Sequence, residues 1–199
     1  MNRLEVVEAN LRYRGYDVSV FRSSPEAAAY LNRVIDGKTV GIGGSKTVQQ
    51  MGLAEQLSSH NELHWQWIAE PDVYKKAASA QIYISSANGL AETGEIINID
   101  EDGNRVASTL YGHEKVYLII GKNKISPTFE AALSRARNIA AVKNAQRLGL
   151  KTPCAINGGH CYDCKSPERI CQALAVLWGP TRGMKEPMEI VLIDEELGF

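Results

Sequence analysis

The stretch VGIGGSKTVQQMGL, residues 40–53, runs an apolar strand through Gly43, Gly44 and Ser45 into a helix that carries Thr47 in its first turn. Glycines let a backbone approach a ligand closely, and a helix N-terminus offers free amide donors and the positive end of a dipole. An oxyanion or phosphate fits such a turn. A tight strand-to-helix turn without any ligand fits the same residues equally well. The Gly-Lys-Ser/Thr order of a P-loop is absent and no G-x-G-x-x-G fingerprint occurs, so no nucleotide-cofactor motif is found.

Outward from this turn the chain alternates helix and strand. Leu4, Val7 and Leu11 recur at helical spacing before Gly15, which predicts a helix over 3–14, and YDVSVF (16–21) alternates like a strand. Ser24 and Pro25 open a helix to about Ile35, and Asp36-Gly37 turns the chain into the strand at 38–44. Downstream, helices are expected over 46–58 and 71–79, then a buried strand AQIYISS (80–86). A hairpin is expected of EIINID (95–100) and NRVASTL (104–110) around Asp102-Gly103. KVYLIIG (115–121) reads as a strand, 126–147 as a long helix and MEIVLID (188–194) as a final strand. This order argues for one α/β domain over 1–199 with a mixed, mainly parallel sheet and a cysteine-rich segment at 152–171.

Composition narrows the function. The 22 Lys and Arg balance 23 Asp and Glu across 199 residues, so no global field recruits nucleic acid or an anionic membrane. The charged N-terminus lacks the apolar core of a signal peptide, and no run approaches a membrane-spanning length. A cytoplasmic protein with small-molecule or protein partners is expected, and in that compartment four cysteines are poor candidates for structural disulfides.

Two further stretches carry candidate chemistry. SSANGLAETGEIINIDEDGNR (85–105) collects Asn88, Glu92, Thr93, Glu95, Asn98, Asn104 and Arg105 beyond the end of a strand, where α/β sheets build their sites. Glu92 reads as a nucleophile or general base and Arg105 as a carboxylate clamp, whereas Asp102 and Gly103 read as a solvated turn. TPCAINGGHCYDCKSPERIC (152–171) holds Cys154, Cys161, Cys164 and Cys171 at C-x6-C-x2-C-x6-C. A C-x2-C pair with one further cysteine at equal distance on each side suits a single metal centre, either zinc or an iron–sulfur cluster. Ser166-Pro167 is expected to start a helix carrying Cys171. Inert thiols, or a redox pair at 161 and 164, remain open from the same spacing.

GIGGSKTVQQMGL, SSANGLAETGEIINIDEDGNRVAS, IIGKNKI and TPCAINGGHCYDCKSPERIC, taken together, resemble successive signatures of the LUD-domain (lactate utilisation) family, in particular its stand-alone members with a cysteine-containing C-terminal tail. The resemblance implies a three-layer α/β fold similar to glucosamine-6-phosphate deaminase, ribose-5-phosphate isomerase and the CoA transferases. It implies a small anionic ligand at Gly43, Gly44, Ser45 and Thr47. It also implies a connection with oxidation of lactate or a related 2-hydroxy acid, beside an iron–sulfur protein partner. The alternative is a non-catalytic metal or redox-sensing module that docks a protein.

Overall fold

The computed structural model describes residues 2–199. Helix α1 (Arg3–Tyr13) opens on a capping box: Asn2 Oδ1 accepts the Glu5 amide at 2.9 Å while the Glu5 carboxylate accepts the Asn2 amide at 2.8 Å. It leads into β1 (Asp17–Phe21), then α2 (Ser24–Val34) with a proline in its first turn, then β2 (Thr39–Ile42). The helix expected over 46–58 is two short ones, α3 (Lys46–Gln50) and α4 (Leu53–Leu57), because Gly52 takes a left-handed conformation between them. Strand β3 (Glu62–Trp65) follows, then α5 (Val73–Ser79) and β4 (Ile82–Ser85).

The expected hairpin forms elsewhere. Strand β5 (Gly89–Ala91) pairs antiparallel with β6 (Ile96–Asp100) through a turn at Glu92–Gly94, and residues 104–110 are a helix, α6 (Asn104–Leu110). Gly103, at φ 79°, reverses the chain, and Asp100 Oδ2 then accepts the Val106 amide at 2.9 Å, so the first turn is capped from the preceding strand. The Asp102-Gly103 pair makes a turn as expected, but one that starts a helix.

Strand β7 (Lys115–Gly121) runs through one 3-10 turn into the short β8 (Ile125–Ser126). The long helix starts at α7 (Phe129–Arg135), passes through a π turn at Ala136–Ala140 and continues as α8 (Ala141–Arg147). After α9 (Pro153–Asn157) come β9 (Ala173–Leu177) and β10 (Glu189–Ile193). No helix forms at Ser166-Pro167; the chain there makes one turn, and the Gln172 amide then bonds the Asp100 carbonyl at the end of β6.

Six strands lie parallel in the order β1-β10-β7-β4-β2-β3, and a four-stranded sheet, β8-β5-β6-β9, contains the antiparallel pairs. Alternate residues of the parallel strands serve opposite faces. Tyr117, Ile119, Val191 and Ile193 pack with Ala28 and Leu31 of α2 and with Leu53 and Leu57 of α4. Val116, Leu118, Ile190 and Leu192 pack with Val7 and Leu11 of α1 and with Leu90 and Ile96 of the second sheet. Two apolar faces explain why these strands read as unbroken apolar runs. The result is a three-layer α/β fold. Among the described residues no helix is long and apolar enough to cross a membrane.

Candidate functional site

From β2 the chain moves outward to β3, then returns to β4 and proceeds toward β7. Strand order therefore reverses beside β2 and β4, which is where open parallel sheets place their ligands, at the C-terminal ends of the strands. A cleft of about 250 Å³ opens there. Gly44, Ser45 and Thr47 follow β2, Ser85 ends β4 with Ser86 and Asn88 beyond it, and Lys124 follows β7. Asn104 and Arg105 of α6 and Asn144 and Arg147 of α8 also line it.

Lys124 is the centre of this arrangement. It is buried, and its ammonium donates to Thr47 Oγ1 and to Ser86 Oγ, each at 2.8 Å. Among the described residues no carboxylate pairs with it. Burial, then the charges of Arg135 and Arg105, push its pKa down to about 7. Arg135 is itself buried, which lowers its pKa to about 10, and it is tied to backbone carbonyls of Asn123 at 2.8 Å and Asn88 at 2.6 Å. Arg105 donates to Asn98 Oδ1 at 2.6 Å and to the Ile99 carbonyl, and lies 3.8 Å from Asp100. Ser85 Oγ, fully buried in the cleft floor, has no hydrogen-bond partner among the described residues.

The glycine turn contributes space. The Gly44 amide donates to Gln66 Oε1 at 3.2 Å, and Ser45 Oγ caps the Val48 amide at 3.3 Å, so both groups already have partners. A β-carbon on Gly44 would stand 2.9 Å from Trp67 Nε1, and one on Gly43 would stand 2.6 Å from the Tyr83 hydroxyl. Positive charge at this turn comes from Lys124 and the arginines. Gly198, at φ 66°, packs against the same group: a β-carbon there would meet Thr47 Oγ1 at 2.4 Å and Lys124 Nζ at 3.1 Å.

The candidate residues of 85–105 separate into two sets. Asn88, Asn104 and Arg105 line the cleft, and buried Asn98 holds Arg105. Glu92, Thr93 and Glu95 lie in the β5–β6 turn, against α1. Glu92 pairs with Arg3 Nε at 2.7 Å and its carbonyl accepts Asn10 Nδ2 at 2.7 Å, while Glu95 pairs with Arg14 and Thr93. None of the three lines the cleft, so Glu92 stands away from the groups with which it was expected to act.

The four cysteines are free thiols, each partly buried. Burial pushes the Cys171 thiol up to about 11, with the Cys161 charge adding to the rise and the Arg169 guanidinium opposing it. Among the described residues no three His, Cys, Asp or Glu side chains stand together as a ready metal cage. The segment borders the cleft: Ile170 lines it, the Gln172 amide bonds the Asp100 carbonyl at 3.0 Å, and the Cys161 amide bonds Asn138 Oδ1 in the π turn at 2.9 Å.

A three-layer α/β protein with a buried cation beside the strand-order reversal belongs to the open-sheet class of folds. The LUD domain profile matches residues 4–193, and the chain belongs to the LUD domain family. A crystal structure of a DUF162 family protein from Deinococcus radiodurans has a similar fold, with a TM-score of 0.57 at 12% identity over 97% of this chain and 99% of that one. No curated protein sequence matches the chain.

Proposed function

We propose that the protein binds a small organic anion, a carboxylate or a phosphate ester, in the cleft at Lys124, and that it acts in or beside the oxidation of lactate or a related 2-hydroxy acid. The observation that carries this reading is an ammonium buried with neutral hydroxyl partners and two guanidinium groups nearby. Such an arrangement is costly unless an anion completes it. Thr47 and Ser86 aim the ammonium, and Ser85 Oγ is free to meet a ligand hydroxyl. An amine that titrates near neutrality also suits proton exchange with a bound hydroxy acid. Membership of the LUD family supports the connection with lactate.

The test is thermal unfolding at pH 6.5 with lactate, glycolate or inorganic phosphate. A ligand at 100 times its Kd stabilises by about 2.7 kcal/mol, which is several degrees in Tm. The expected rise disappears in Lys124→Met. No rise with any of these anions overturns the reading.

The C-x6-C-x2-C-x6-C spacing favours a second element. We propose that Cys154, Cys161, Cys164 and Cys171 hold one zinc ion or iron–sulfur cluster. Four thiolates are the donor set that either group takes. Such a centre supplies a cross-link or a one-electron carrier, and this chain's part is to provide the thiolates and the flanking Arg137 and Arg169. Arg169 donates to the carbonyls of Cys164 at 2.8 Å and Cys171 at 2.9 Å, drawing the second arm into a loop.

A further inference from the structure

Arg147 is a second cation in the cleft, and the anion at Lys124 does not account for it. Its guanidinium lies over the Trp67 ring with 5.0 Å to the centroid, and Trp67 in turn packs on Trp65 at 5.6 Å. Nε and Nη2 both donate to Asn144 Oδ1, at 3.0 and 2.9 Å. Two of the five N–H donors are thus spent on one neutral acceptor, leaving three free. Among the described residues Arg147 forms no ion pair. A guanidinium fixed by stacking and by a side-chain amide along its Nε–Nη2 edge, with its Nη1–Nη2 end unspent, is prepared to receive a planar oxyanion.

Trp67 links the two cations. The indole N–H edge abuts Gly44, on the turn that carries Thr47 and, through it, Lys124, while its face supports Arg147. Lys124 and Arg147 therefore line one cleft, with Trp67 touching the turn that holds the first and stacking under the second.

The opposite rim carries Asp100, Glu101 and Asp102. Asp100 is committed to the Val106 and Glu101 amides and to Arg105. Glu101 and Asp102 remain as acceptors, and burial together with the neighbouring Asp102 and Asp100 charges raises the Glu101 pKa. Carboxylates repel an anion placed against them and accept from a hydroxyl. Ser85 Oγ, unpartnered in the floor, offers a second hydroxyl contact.

We infer that the ligand of this cleft is a hydroxylated dianion, with one oxyanion at Lys124, a second at Arg147, and a hydroxyl between them facing Ser85 and the acidic rim. The inference rests on the anion reading of Lys124 and narrows it from any small anion to one that carries two anionic groups. The second oxyanion is a carboxylate or a phosphate, which Arg147 receives by the same fork.

Isothermal titration of the full chain with lactate, malate, succinate and 3-phosphoglycerate tests this. Malate or 3-phosphoglycerate is expected to bind at least tenfold more tightly than lactate, and whichever does so identifies the second oxyanion. Succinate, which lacks the hydroxyl, is expected to bind more weakly than malate. Arg147 is exposed on α8, so Arg147→Gln keeps the fold; it is expected to bring the preferred dianion down to the affinity that lactate shows for the same variant. Equal binding of lactate and both hydroxylated dianions, or a dianion preference that survives Arg147→Gln, overturns the inference while the anion site stands. Succinate binding as well as malate overturns the hydroxyl assignment. Failure of all four compounds removes the anion site itself, and this inference with it.

Discussion

The cleft and the cysteine segment lie side by side and are built by opposite means. Every charged group of the inner cleft is held before a ligand arrives: Lys124 by two hydroxyls, Arg135 by backbone carbonyls, and Arg105 by Asn98 and Ile99. The cysteine segment has one five-residue helix with no buried residue and then no regular element until Ala173. Its backbone is fixed at a few points, chiefly Cys161 on Asn138 and Gln172 on Asp100. A preorganised site has met its ordering cost during folding, whereas a loop held at a few points obtains order from what it binds. The first region should therefore lose its ligand without losing structure, and the second should lose structure with its ligand.

The largest effect expected from this contrast is at Lys124. Its folded pKa of about 7 lies below the ordinary lysine value of about 10.4, so across that window the unfolded chain binds the extra proton. Stability contributed by this group consequently rises as pH increases from about 7 to 10.4, and the full cost of the buried charge is felt below pH 7. Lys124→Met should abolish anion-dependent stabilisation, and the variant should be more stable than the parent at pH 6, by a few kcal/mol in order of magnitude. The difference should shrink steadily toward pH 10. Denaturant titrations of both proteins at pH 6, 8 and 10 measure it. A variant less stable than the parent at pH 6 means that Lys124 already has its counter-charge, and the contrast between the regions fails.

This group shows where the sequence stops being legible. The apolar runs at 80–86, 115–121 and 188–194 announced the buried strands because both of their faces are apolar. The strand-to-helix step at Gly43 announced where the site would lie. Lys124 lies in IIGKNKI and nothing local marks it: a lysine in a loop is ordinarily solvated, and this one is buried by Thr47, Ser86 and Gly198, up to 77 positions away. Arg135 and Arg147 read locally as the polar face of a long helix, and only tertiary packing turns both toward the site. Strand β3 is short, and β9 sits at the edge of the second sheet with Leu174 exposed, so neither shows the two-faced apolar run of the central strands. NRVASTL alternates well enough to resemble a strand, and the Asp100 cap that makes it helical lies six positions from the amide it receives.

A smaller effect is expected from the cysteine segment, and it sharpens the contrast by measuring how far the two regions communicate. Cys161→Ser with Cys164→Ser should eliminate stoichiometric zinc or iron from anaerobically purified protein and should open residues 152–171 to protease, with the far-ultraviolet dichroism of the sheets retained. Because Ile170 lines the cleft and Gln172 holds Asp100, anion affinity should fall as well, by roughly three- to tenfold, about 0.7 to 1.4 kcal/mol. Metal content unchanged in the double variant removes these thiols as ligands. An unchanged protease pattern, with metal lost, shows that the segment is ordered by its own contacts, like the cleft.

The smallest effect belongs to Glu92, and it decides whether the site has been drawn in the right place. Sequence position alone put this carboxylate beside Asn88 in a polar loop and made it a candidate nucleophile. In the folded chain it lies in the β5–β6 turn, with its Arg3 partner about half exposed and its own side chain 29% exposed. An ion pair in such a position is worth less than about 1 kcal/mol, since water screens it and two side chains must be ordered to make it. Glu92→Gln should therefore shift the denaturant midpoint only slightly and leave anion affinity at Lys124 unaltered. The remaining contacts of residue 92 are made by backbone: its amide donates to the Ser126 carbonyl at 2.8 Å and its carbonyl accepts from Asn10, and both survive the substitution. The variant is thus a clean probe of the carboxylate. A loss of anion binding or of turnover comparable to that of Lys124→Met would return Glu92 to the site, which would require the β5–β6 turn to swing from α1 to the strand ends when ligand binds.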